Sequence, residues 1–183
     1  MKQTKTHILT ECAIMLALAT ALSFVTLWQM PMGGSITLCS MLPIFLVGIK
    51  HGPKWGLSTA FCYALIQLLQ SIIKGSTFPY IETFGVMVLC AFLDYLLPYT
   101  ILGITGFFGK KQPLIYTGLG VAIVLRYLCH FFSGVIIWGQ FVKADVIYSF
   151  SYNAYLFVDF AICLAVAIPL LVVPRVRKLL GLA

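Results

Sequence analysis

The sequence predicts an all-α membrane protein, a single domain over residues 1–183 with six transmembrane helices and both termini on the cytoplasmic side. Three observations carry this. Of 183 residues, 61% are hydrophobic and only 9% charged, whereas a soluble domain uses about a quarter charged residues to face water. The apolar residues fall into runs near the roughly 20 residues that cross the hydrocarbon of a bilayer. Lysine and arginine collect on alternate turns between those runs, as they do on cytoplasmic loops.

The elements follow in order. Lys2 and Lys5 precede the first run as in a signal peptide. The run extends from Ile8 to Trp28, longer than the ~7–15 residues of a signal core, so it reads as a retained helix 1. Helix 2, about Leu38–Ile49, is short, and Pro43 is expected to interrupt it. Such a segment is tolerated where protein or a cavity satisfies the freed backbone groups. The Pro31–Ser35 stretch before it reads either as a cover for the outer mouth of a cavity or as an ordinary connection. His51-Gly52-Pro53-Lys54 is a turn into helix 3, Trp55–Ile73. A loop over Lys74–Tyr80 leads to helix 4, about Ile81–Phe108. The Gly109–Pro113 turn leads to helix 5, Leu114–Trp138, and the Gly139–Asp145 loop to helix 6, about Val146–Val173.

This map sets the orientation. With the N-terminus inside, the inner segments hold Lys2, Lys5, Lys50, Lys54, Lys110, Lys111, Arg175, Arg177 and Lys178, against Lys74 and Lys143 outside. Five or seven spans would scramble that bias. The net charge of +7 is spread between apolar runs, which argues for membrane-flanking anchors and against nucleic acid. No stretch outside the spans has room for an ATPase, and no G-x-x-x-x-G-K-[ST] loop occurs. The six cysteines make no C-x-x-C pair and no zinc spacing. They read as buried, reduced small hydrophobes. No metal, cofactor or enzymatic centre is expected.

Ionisable side chains inside spans mark function by default. They are Asp94 in helix 4, Arg126 and His130 in helix 5, and Asp159 in helix 6, to which no role attaches. Glu11, near the inner end of helix 1, is expected to reach water. Arg126 and His130 share a helix face, continued outward by Gly134 and Trp138. Helix 6 opens with Tyr148, Ser149, Tyr152 and Asn153, while Tyr80, Asp94 and Tyr95 belong to helix 4 and its approach. Together these predict a cavity open to the outside. A carboxylate among aromatic rings suits an organic cation, and histidine with asparagine suits a heterocycle edge. Arg126 reads either as part of that site or as a structural partner of Asp94. Ala13, Ala17 and Ala21 form a small-residue stripe on helix 1, for internal packing or for docking a partner.

The segments Gly33–Ile36, Met41–Leu46, Phe92–Tyr95, Leu125–His130, Ser133-Gly134 and Ile147–Ala154 together resemble the thiamine-specific substrate-binding subunits (S components) of energy-coupling-factor transporters. Arg-x-x-x-His-x-x-Ser-Gly and Tyr-Ser-x-x-x-Asn are the most specific elements. The resemblance implies the S-component fold and high-affinity binding of thiamine near the outer face of a bacterial plasma-membrane protein. The matching contact residues are Asp94, Tyr95, His130, Trp138, Tyr148 and Asn153, with Arg126, Ser149 and Tyr80 beside them. It also implies that Ala13, Ala17 and Ala21 dock on a transmembrane coupling protein served by two cytoplasmic ATPases. Some members carry glutamate in place of Asp94 and lysine in place of Arg126. The first-loop tryptophan of some members has no counterpart in the Gly33-Gly34 region, and Trp28 is close but out of register, so it stays outside the site. The rival readings are an S component for another vitamin or a precursor such as hydroxymethylpyrimidine, and a self-sufficient transporter coupled to protons through Asp94 and His130.

Overall fold

A computed structural model describes residues 4–30, 33–81, 83–139 and 146–182, with the Tyr80 side chain outside the described set. The elements are α1 (Lys5–Phe24), β1 (Thr26–Gln29), β2 (Ser35–Thr37), α2 (Leu42–His51) and α3 (Pro53–Lys74). Then come α4 (Phe84–Phe107), α5 (Gln112–Trp138), α6 (Val146–Val172) and a short α7 (Pro174–Leu180). Five helices, α1 and α3 to α6, are long and apolar enough to cross a membrane. Large apolar side chains such as Ile73, Phe84 and Ile147 point outward, 84%, 79% and 75% exposed. That surface needs lipid as its solvent.

Helix α2 is the exception that the fold is built around. Ten residues rise only about 15 Å, half the hydrocarbon thickness. It is covered by protein instead: every residue from Leu42 to Ile49 is buried, against α1, α3, the end of α4 and α7. The expectation that Pro43 interrupts this helix is not met. Pro43 sits in the first turn, where its missing N–H has no intrahelical partner to lose.

Helix 1 also ends earlier than its apolar run. After Phe24 the chain turns extended, and Thr26–Gln29 pairs antiparallel with Ser35–Thr37, Trp28 opposite Ile36. The Thr-Leu-Trp segment is β-branched and aromatic, which suits a pleated ribbon as well as a helix. Asp159 on α6 secures the hairpin by accepting from the Thr37 backbone N–H at 2.9 Å and its hydroxyl at 3.2 Å. Further corrections concern helix regularity. Residues Ala91–Leu96 of α4 and Gly134–Trp138 of α5 are π-helical, and Ile101–Phe107 is a 3-10 segment. Helix α6 breaks between Tyr152 and Tyr155, and the chain past Val173 starts the new helix α7 at Pro174.

The inner end is tied by two devices. Four glycines let α2, α3 and α4 meet backbone to backbone: a Cβ built on Gly103 would overlap the Gly56 peptide, and one on Gly48 would overlap the Thr105 hydroxyl. Such close approach is what drives helix association in lipid. Glu11 keeps part of its side chain exposed and also accepts from Lys50 Nζ at 2.8 Å and pairs with His51 Nε2 at 2.6 Å. This puts the start of α1 beside the α2–α3 turn. The turn into α5 meets the C-terminal segment through Arg177 and Gln112. The start of α1 and the end of α7 therefore lie at one end of the bundle, and the hairpin lies at the other. Five of the six cysteines are buried as expected, whereas Cys62 is exposed.

Candidate functional site

The hairpin end holds a cavity with an open mouth, about 720 Å³ of empty space that runs on into solvent. Its wall comes from the first loop (Gly33, Gly34, Ser35), from Thr77, from Asp94, Tyr95 and Tyr99 on α4, and from His130, Gly134 and Trp138 on α5. Helix α6 adds Tyr148, Ser149, Tyr152, Asn153 and Tyr155. Both π-helical segments border it: Asp94 and Tyr95 lie on one, Gly134 and Trp138 on the other. π-Segments inside helices recur at functional sites.

Asp94 is the polar centre. Its carboxylate accepts from Ser133 Oγ at 2.7 Å, Trp138 Nε1 at 3.1 Å and Cys90 Sγ at 3.3 Å, and faces His130 Nδ1 at 3.2 Å. An ionised carboxylate only accepts, so Nδ1 carries the proton of this contact. In the neutral ring, Nε2 is then an acceptor, and it is buried without a partner among the described residues. The site thus presents a fixed negative charge beside an unused acceptor.

Aromatic rings surround that pair. Tyr148 stacks on Tyr152 at 5.9 Å between centroids, and Tyr152 meets Tyr155 edge-on at the same separation. Gly34 lies so close to this wall that a Cβ there would stand 3.0 Å from the Tyr152 hydroxyl. Gly33 takes φ +102°, a left-handed conformation, and packs on Thr77. The first loop therefore forms one wall of the cavity, against α6 and the α3–α4 loop. In its described part it lines the cavity, as the first of the two readings expects; Pro31 and Met32 lie outside the described residues.

Two other cavity residues work through the frame. The Tyr95 hydroxyl is shared with Ser71 and Thr77, each at 2.6 Å, and its ring stacks on Phe78. Asn153 sits at the break in α6, where its amide donates to the carbonyls of Ser149 at 2.9 Å and His130 at 3.3 Å. Ser149 donates to the Phe131 carbonyl at 2.9 Å. These bonds clamp α6 onto α5 behind the imidazole.

Arg126 stands apart. The expectation that it either contacts the site or pairs with Asp94 is not met. Its guanidinium lies over the Tyr99 ring, 4.3 Å from the centroid, and Nη1 points at Met41 Sδ. It is 3% exposed and lies outside the cavity wall, behind Tyr99. Of the other expected residues, Asp94, Tyr95, His130, Trp138, Tyr148, Ser149 and Asn153 converge on the cavity, while the Tyr80 side chain is not described. Thr77, Tyr99 and Tyr155 line it without having been singled out. Two of these had a signal: Tyr99 lies four residues past Tyr95 along α4, and Tyr155 lies three past Tyr152, across the break in α6.

Ala13, Ala17 and Ala21 are exposed along α1, so the stripe does not pack internally.

The comparisons with known proteins agree with this architecture. The family model described as thiamine transporter protein matches residues 9–179. The thiamine transporter ThiT of Bacillus subtilis (strain 168) is 32% identical over 190 residues, covering 93% of each chain. A solved structure of ThiT from Listeria monocytogenes superposes with a TM-score of 0.70, covering 95% of this chain and 98% of that one at 22% identity. With a multi-pass helical bundle, a cavity at one end and a family match along nearly its whole length, this chain belongs to the thiamine transporter protein family, transporters rather than enzymes.

Proposed function

We propose that this chain binds thiamine in the cavity at its hairpin end, as the substrate-binding S component of an ATP-driven vitamin uptake system. The observation that carries the reading is the Asp94 carboxylate, held by several donors beside the unused Nε2 of His130 and walled by tyrosine and tryptophan. A thiazolium ring is a permanent cation suited to a carboxylate and to aromatic faces. An exocyclic amine on a pyrimidine supplies the N–H that Nε2 lacks. Thiamine joins the two chemistries in one molecule.

The chain itself carries no phosphate-binding loop, so energy comes from partners: a transmembrane coupling protein and two cytoplasmic ATPases. The exposed Ala13, Ala17 and Ala21 stripe supports docking on the coupling protein, because small side chains allow another helix to come close. Binding from the outside then precedes reorientation of the whole subunit.

The test is equilibrium titration of the purified protein against a vitamin panel. Thiamine is expected to bind far more tightly than riboflavin or hydroxymethylpyrimidine. Equal affinity for riboflavin defeats the reading, and tighter binding of the pyrimidine alone reassigns the substrate. The Asp94–His130 contact also favours a second reading, proton-coupled transport by this chain alone. Uptake driven by a pH gradient into proteoliposomes that contain no other subunit would establish that reading instead.

A further inference from the structure

We infer that the inner end of the bundle carries a binding surface for anionic phospholipid headgroups, built where the α4–α5 turn meets the C-terminal helix. Four cations 64 to 68 residues apart in sequence are brought together there: Lys110 and Lys111 from the turn, Arg175 and Lys178 from α7, all exposed. A fifth, Arg177, is turned inward and makes the junction. Its guanidinium donates to Gln112 Oε1 and to the Leu171 carbonyl at 3.5 Å each, and to the Leu182 carbonyl at 3.1 Å. Leu180 and Leu182 are buried in the core beneath it. The fold is tight enough that a Cβ on Gly181 would stand 3.0 Å from Lys110 Nζ.

Charge complementarity selects the occupant. Of the three described carboxylates, Asp94 and Asp159 belong to the cavity region and Glu11 is taken by Lys50 and His51, so none neutralises the four exposed cations. Phe107, Val172 and Leu179 flank them, 66%, 56% and 64% exposed. Cations ringed by outward apolar side chains fit a surface that is anionic at headgroup depth and apolar just beyond it. An acidic protein face would match only the first half of that pattern. The bias that orients insertion needs cations on the inner turns and no more; it does not require two distant segments to be stapled into one patch.

Native mass spectrometry of the purified protein in equal phosphatidylglycerol and phosphatidylcholine tests this. The wild type is expected to retain phosphatidylglycerol at least ~10-fold in preference, from the attraction of each basic residue to anionic lipid, and to lose the preference as salt rises. K110Q/K111Q/R175Q/K178Q is expected to abolish it. That variant also weakens the orienting bias, so R175Q/K178Q, which keeps seven of the nine inner cations, is measured beside it and is expected to lose several-fold. Monodispersity and thermal unfolding of both variants confirm that they are folded, without recourse to any substrate. Equal retention of the two lipids by the wild type overturns the inference. So does an equal loss in K5Q, which removes an inner cation on α1, or capture of acidic protein in place of lipid.

Discussion

Replacing Asp94 by asparagine tests the chemistry proposed for the cavity at its centre. The carboxylate has four neighbours that donate to it or face it. A cation about 4–5 Å away, in surroundings of effective dielectric about 20, gains about 3–4 kcal/mol from that charge. Asparagine removes it all. It also turns one oxygen into an NH2 group, and where this faces His130 the imidazole must switch tautomer to accept. Nε2 then becomes a donor, at a cost of about 1 kcal/mol for one hydrogen bond to an amino-pyrimidine. A neutral pyrimidine analogue should thus lose roughly 5- to 10-fold in affinity, and thiamine on the order of 10³-fold. Asp94→Glu keeps the charge and should lose far less than Asp94→Asn. Titration followed by tryptophan fluorescence, with Trp138 bonded to the carboxylate as reporter, reads all three. Losses for cation and neutral analogue that agree within about threefold would refute charge pairing, since the Coulomb contribution alone predicts ~100-fold between them.

Other expectations follow from the packing. Gly134→Ala places a methyl on the Ser149 hydroxyl and should cost about 1–3 kcal/mol. That amounts to several degrees in Tm, partly restored by adding Ser149→Ala; no recovery in the double variant argues against this contact. Asp159→Leu strands the Thr37 N–H, while the Thr37 hydroxyl keeps the Ser40 hydroxyl at 2.8 Å. Hydrogen exchange at the β2 amides should accelerate while that of α2 stays slow, whereas unchanged β2 protection means the hairpin does not depend on this anchor. Ala17→Trp should leave thiamine binding intact and abolish uptake in cells, because it obstructs the exposed stripe without touching the cavity. Normal uptake by this variant disproves the docking assignment.

Much of the fold is legible in the residues. Lipid as solvent makes apolar length decisive, so the five long spans emerge from the runs alone, and the alternation of lysines sets their direction. Convergence of Asp94, His130, Trp138, Tyr148 and Asn153 was readable because helical spacing places each on one face at similar depth. What escaped was rotation and fine geometry. Position along helix 5 puts Arg126 one turn from His130, yet cannot say that Tyr99 rather than Asp94 stands opposite it. The hairpin was hidden because Thr26–Gln29 continues the apolar run of α1, and a two-stranded ribbon that short leaves no period to detect. Pro43 is expected to interrupt helix 2 because the apolar run begins before it, whereas the helix itself begins at Leu42 and leaves Pro43 in its first turn.

The π-helical stretch in α4 decides where that helix tolerates the loss of a codon. A segment with i→i+5 bonding fits one more residue into its turn than an α-helix does. Deleting one residue between Ala91 and Leu93 would let the turn close to regular α-geometry and leave the helix on either side in register. The same deletion at Leu97–Thr100, where the bonding is already α-helical, would swing Asp94 and Tyr95 by about 100° relative to the glycine-locked inner half. Asp94 and Tyr95 would then no longer face Ser133 and Thr77, although the inner end keeps its packing.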